Sequence, residues 1–164
     1  MLENYYEQSD FDKEIENYPK EKLIDIVENG ADIELMEAAF LKLSFIDEEY
    51  ALTKGMDFLR NDEFDPYFQA TIISTIYDID REKVLDCILS RTADIDFYFF
   101  KEILQTMKTF TTYEALMKMK NYKSYINYLF EQYNKYSADE KSEMQDLLKE
   151  FVQEFHLEAL WKKK

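Results

Sequence analysis

The carboxylates are the residues of this chain with the most chemistry to offer. They fall in short groups, Asp62-Glu63 with Asp65, Asp78-Ile79-Asp80 and Asp94-Ile95-Asp96, with Asp57 just upstream. Such groups can ligate a cation, work as general acid and base, cap helices or face a cationic partner. A calcium loop of the EF-hand kind needs alternating oxygen ligands, a central Gly and a Glu at its twelfth position, and no segment supplies that series. Zinc draws on His and Cys, and the chain holds one of each, His156 and Cys87. Carboxylate pairs at glycosidase spacing carry no information among 35 acids, because some pair always falls at a suitable distance.

A nucleophile fares no better. Cys or Ser needs a base beside it, and His156 sits between Phe155 and Leu157 in an apolar helical stripe, the setting of a packed or surface histidine. Cys87, within Val84-Leu85-Asp86-Cys87-Ile88-Leu89, reads as a small buried side chain without cationic neighbours. Gly30 and Gly55 are the only glycines, so no Gly-rich phosphate loop can form. These exclusions predict a protein that is not an enzyme and uses no metal and no cofactor.

Binding remains. Residues 1–110 hold 26 Asp/Glu against 11 Lys/Arg, whereas residues 111–164 hold 9 against 9, so the net charge of −15 lies in the first two thirds. That balance argues against a nucleic-acid backbone or an anionic membrane as partner, since both demand a basic face. It favours a cationic protein, attracted with a strength that falls as salt is added. Thirteen Tyr and thirteen Phe form a second excess. Helical spacing assigns Phe58, Phe68, Phe99, Phe100, Phe151 and Phe155 to a core, but Tyr67 and Tyr98 each follow an aspartate, Asp65 and Asp96, at the start of a helix. Acids beside aromatics are the composition of a hot spot for a cationic partner. The predicted contact set is Asp57, Asp62, Glu63, Asp65, Tyr67, Asp78, Asp94, Asp96 and Tyr98.

The elements that must position these residues are helices. Two Gly and two Pro are too few turn residues for an all-β chain, and no apolar run approaches the ~20 residues that cross a bilayer. Caps and apolar spacing predict about nine helices, over 20–29, 33–44, 48–60, 66–77, 81–91, 96–108, 112–119, 122–136 and 138–161, the last opened by a Ser137/Glu140 capping box and running unbroken. Between them the chain repeats itself. Leu43-x-x-Ile46-Asp47-x-x-x-Ala51-Leu52 returns as Ile76-x-x-Ile79-Asp80-x-x-x-Val84-Leu85, and again as Met107-x-x-Phe110-Thr111-x-x-x-Ala115-Leu116. In each copy the first apolar pair ends one helix, Asp47, Asp80 or Thr111 caps the next, and the second pair packs back. Stacked antiparallel pairs of this kind make an α-solenoid. The expectation is one all-α domain over 1–164, with a repeat core at 33–120 and a helical cap at 121–164. The single cysteine, and an acidic start without an apolar stretch, predict a cytoplasmic protein.

The stretches from Glu34 to Asp47 and from Gln69 to Asp80, each followed by a capped second helix, resemble HEAT-like repeats. The whole is similar to the small acidic immunity proteins of bacterial contact-dependent and polymorphic toxin systems. That resemblance implies a non-catalytic inhibitor of a cognate toxin C-terminal domain, commonly a basic nuclease, whose active site or substrate groove it blocks. Such families share no functional motif, so the contact residues above rest on charge and repeat position. A HEAT-like adaptor that grips a peptide or another enzyme through an apolar groove is the alternative.

Overall fold

The computed structural model describes residues 10–161. The acidic start at 1–9 and the terminal Lys162, Lys163 and Lys164 lie outside them. The described residues form twelve helices and no strand. The chain divides into two compact units, 1–51 and 52–164, and the division falls inside a helix, after Ala51.

The first unit holds α1 (Asp10–Ile15), α2 (Lys20–Asn29), α3 (Ile33–Ile46) and the opening turn of α4 (Glu48–Arg60). Leu23 and Val27 of α2 are buried, as are Met36, Ala39, Phe40 and Leu43 of α3, at the three- and four-residue spacing that puts side chains on one helix face. The Lys42 ammonium donates to the carbonyls of Ile15, at 2.7 Å, and Glu16, so a cation closes the end of α1. Asp32 caps α3 through the Leu35 N–H, and Asp47 caps α4 through the Tyr50 N–H while pairing with Lys20. Gly30 ends α2 at φ −66°, a conformation open to any residue. Space makes it glycine: a Cβ there would stand 2.3 Å from the Ile26 carbonyl oxygen and 2.9 Å from Met36 Cγ.

The second unit holds the rest of α4, then α5 (Pro66–Ile76), α6 (Arg81–Leu89), α7 (Phe97–Phe110), α8 (Tyr113–Lys118), α9 (Tyr122–Lys135), α10 (Ala138–Glu143), α11 (Gln145–Glu154) and α12 (Glu158–Trp161). Its core is dense in aromatics, with Phe58, Phe68, Phe99, Phe100, Phe130, Phe151 and Phe155 all buried. Helices one repeat apart run parallel. At their N-termini α5 and α7 bring together Tyr67 and Tyr98, and at their C-termini the Tyr77 hydroxyl bonds that of Thr111 at 2.8 Å. Burial raises the Tyr77 phenol to about 12 despite that bond. Likewise α6 reaches back to α4, where Cys87 Sγ donates to the Met56 carbonyl and Arg91 to that of Leu59. The pairs Lys101–Glu143 and Lys108–Glu150 set α7 parallel to α10 and α11.

The sequence repeat corresponds to equivalent places in these helices. Leu43, Ile76 and Met107 are fully buried in the last turns of their helices, Leu43 and Met107 three residues before the end and Ile76 at it. Asp47 and Asp80 cap the following helices as expected, but Thr111 does not. Thr112 caps α8 through the Ala115 N–H, which leaves the Thr111 hydroxyl buried against Tyr77.

The expected last helix over 138–161 is three helices. After a turn at Met144, α11 stops where the Leu157 N–H bonds the Val152 carbonyl at 2.8 Å and the His156 N–H bonds that of Gln153. His156 has φ 51°. This is the left-handed helix stop usually built with glycine, and Leu157 just beyond it is buried. His156 therefore ends a helix instead of lying within one, and its ring meets Tyr113 edge-on at 4.9 Å. These two breaks, together with α1, raise the number of helices above the nine expected.

Two outcomes follow from the first unit and the caps. Gly30→Ala costs about 1–3 kcal/mol in urea unfolding, because the backbone carbonyl it meets cannot move aside. The side chains of Lys20, Lys83 and Ser137 hold the carboxyls of Asp47, Asp80 and Glu140 below their ordinary range. Their stabilisation is complete above that range and is lost as pH falls through the lowered values. The urea midpoint declines between about pH 5 and about pH 2, and Asp80→Asn shrinks that decline.

Candidate functional site

Two helix starts built alike form the site. Asp65 precedes α5 and its Oδ1 accepts from the N–H groups of Tyr67 (2.8 Å) and Phe68 (3.1 Å). Asp96 precedes α7 and accepts from the Tyr98 N–H at 2.8 Å. In both, the next residue but one is Tyr and the one after it a buried Phe, Phe68 or Phe99. The phenylalanines anchor the first turns in the core and leave the tyrosines outside. Because α5 and α7 run parallel, the two tyrosine rings meet with centroids 5.0 Å apart and planes 30° from parallel. They stay 64% and 48% exposed, among the most exposed large side chains of the second unit. Hydrogen bonding of the Tyr67 hydroxyl to Tyr98 is the leading cause that raises the Tyr67 phenol, with partial burial and the nearby carboxylates of Asp96 and Asp65 adding to it. The surface is a two-ring ledge with a carboxylate at the foot of each ring.

The loop before Asp65 is held from below. Asp62 and Phe64 both have left-handed backbone, φ 55° and 70°. The Glu63 N–H closes α4 on the Phe58 carbonyl at 3.0 Å, and the Phe64 ring packs 4.9 Å from both Phe58 and Phe68. The buried Gln69 amide donates to Asp62 Oδ1 and to the carbonyls of Glu63 and Phe64, at 3.1–3.3 Å. Arg91, its side chain only 1% exposed, adds a 2.5 Å ion pair to Asp62 and lies over the Phe99 ring. On the other side, the Tyr136 hydroxyl donates to the Ile95 carbonyl at 2.7 Å, steadying the approach to Asp96.

Of the nine residues predicted from the sequence, four come together here: Asp65, Tyr67, Asp96 and Tyr98. Asp62 and Glu63 lie in the supporting loop, where Asp62 is engaged by Arg91 and Glu63 accepts from Asn61 at 3.1 Å. Asp94 stands beside Asp96 but is paired with Lys135. Asp57 pairs with Arg60 along α4. Asp78 pairs with Arg81 beyond the far end of α5, a helix that rises about 16 Å from the Asp65 end. Asp65 and Asp96 have no cationic partner among the described residues. Gln69, Arg91 and Tyr136, which support the site, were not singled out by sequence, where the only signal was polar groups inside apolar stretches.

Charge is distributed differently from these acids. Residues 1–51 hold 15 Asp/Glu against 4 Lys/Arg, and residues 52–164 hold 20 against 16. The unit carrying the ledge thus has a net charge of −4, so its pull on a cation depends on which carboxylates are unpaired.

Catalytic parts are not assembled around the ledge. Burial pushes the Cys87 thiol up, against nucleophilic use. Among the described residues no group of three or more His, Cys, Asp or Glu is placed to hold a metal, and no helix is long and apolar enough to cross a membrane. A separate cleft of about 450 Å³ opens between α9 and α10–α12, lined by Tyr133, Leu148, Val152 and Trp161 with Lys141 and Lys149 at its rim. In comparisons with protein-family models, curated proteins and solved structures, nothing matches the chain.

The acids of the predicted set separate by role in a stability measurement. Asp62→Asn keeps a residue tolerant of φ 55° but removes the charge facing Arg91, and costs about 2 kcal/mol in urea unfolding. Asp57→Asn, which loses only an exposed pair, costs less than about 1 kcal/mol.

Proposed function

We propose that the protein is a HEAT-like helical-repeat inhibitor of the immunity type, which binds and neutralises a cationic toxin domain without catalysis of its own. The observation that carries this reading is the ledge: two unpaired cap carboxylates beside two exposed, touching tyrosines. Tyr is enriched and water is excluded at interface hot spots, and unpaired acids supply complementarity to a basic surface. Parallel helices one repeat apart, with like residues at like places, support the solenoid description. A nuclease domain must be basic to hold phosphates, so an acidic cover docks on the same face and blocks the groove.

The alternative is a non-catalytic adaptor that takes a peptide in an apolar groove, and the Tyr133/Trp161 cleft favours it. Salt separates the two, because screening weakens attraction between exposed charges and leaves apolar burial intact.

The test is capture of a cognate toxin domain by pull-down from the source cell, followed by measurement of its binding at low and physiological salt. Asp65→Asn with Asp96→Asn keeps both helix caps, since Asn caps as well as Asp. The double variant loses about tenfold or more in affinity at low salt, and the wild-type affinity itself falls as salt is raised. Unchanged binding by the double variant at low salt overturns the reading. Salt-independent binding that is lost on Trp161→Ala establishes the adaptor instead.

A further inference from the structure

The ledge has a geometry more selective than negative charge alone requires. Tyr67 and Tyr98 present neighbouring rings 30° from parallel, and each carries its cap aspartate two residues before it in the chain. The capping bonds occupy Oδ1 of Asp65 and of Asp96. Neither carboxylate has a cationic partner among the described residues, so the second oxygen of each is left to accept. Cations nearby are engaged elsewhere: Lys101 pairs with Glu143 at 2.8 Å, Lys135 with Asp94, and Arg91 is buried on Asp62.

An ammonium and a guanidinium would use such a surface differently. Lysine offers a compact, strongly hydrated charge that any exposed carboxylate attracts. Arginine offers a planar, weakly hydrated group that lies flat on an aromatic ring while its edge donates to carboxylate oxygens. Ring faces with acceptors at their feet match the second pattern. On this basis we propose that the Tyr67–Tyr98 ledge is an arginine-reading site, which takes a guanidinium of the cationic partner onto the rings with its N–H groups on Asp65 and Asp96. This rests on the ledge being the docking surface and adds which side chain it selects. The rings discriminate between cations, and the carboxylates attract both kinds.

The test uses the full chain with two probes, an oligoarginine and an oligolysine peptide of equal length, titrated calorimetrically at low salt. Wild type binds the oligoarginine about two- to fivefold more tightly than the oligolysine, the ratio that one exposed cation–π contact supplies. Tyr67→Ala with Tyr98→Ala brings the ratio below about twofold with the charge unchanged, whereas Tyr67→Phe with Tyr98→Phe keeps it. Melting curves of each variant verify that the exposed rings are not needed for folding. Equal affinity for the two peptides, a preference that survives removal of the rings, or binding of neither peptide overturns the inference. None of these results touches the toxin-binding test, whose outcome turns on neutralising Asp65 and Asp96, on salt and on Trp161.

Discussion

A buried guanidinium organises the second unit. Arg91 follows α6, yet its side chain reaches the last turn of α4 at the Leu59 carbonyl, the left-handed corner at Asp62, and the ring of Phe99 in the first turn of α7. A charge with 1% exposure is costly to bury unless it is paired, and here a carbonyl takes Nη1 and a half-exposed carboxylate takes Nη2, while Nε is buried without a partner among the described residues. The consequence is positional. The corner that Arg91 holds from one side and Gln69 from the other delivers Asp65 to the start of α5, and Phe99 fixes the start of α7. The two helix ends that make the ledge are thus tied to one ion and one amide beneath them.

The same constraint explains what sequence reasoning could reach. Residues that act on their neighbours were legible: Asp47, Asp80, Asp65 and Asp96 cap the helices that follow them, and Leu43, Ile76 and Met107 are buried as the sequence repeat placed them. The meeting of Tyr67 with Tyr98 was legible too, because a repeat carries like positions to adjacent places. Its failures have local causes. Thr111 and Thr112 are equally good caps in one dimension, and only the buried Tyr77 hydroxyl decides between them. His156 breaks the final helix from a conformation in which Gly is the usual residue, so the apolar stripe runs through the stop without a mark.

Ion pairing was the larger blind spot. Asp57, Asp62, Asp78 and Asp94 looked equivalent to Asp65 and Asp96 in a count of acids, but each of the four faces Arg or Lys. Of those cations, Arg60 and Arg81 lie three residues along the chain and could be read from sequence. Arg91 and Lys135 arrive from 29 and 41 residues away and could not. A summed charge therefore overstates the surface on offer, and the −4 of the second unit is nearer the truth than −15.

What distinguishes the remaining two aspartates is the way their charge is compensated. A carboxylate paired with Lys or Arg is neutralised at the point of contact. A carboxylate at a helix N-terminus is stabilised by N–H groups and by the partial positive charge of the helix end, without a full countercharge. It keeps an acceptor turned outward and is held still. The capping chemistry that begins α5 and α7 thus leaves an exposed carboxylate at each start, and their parallel packing doubles it. Fold and proposed binding surface draw on the same four side chains, so selection for a stable repeat and for a cationic partner would act on them together.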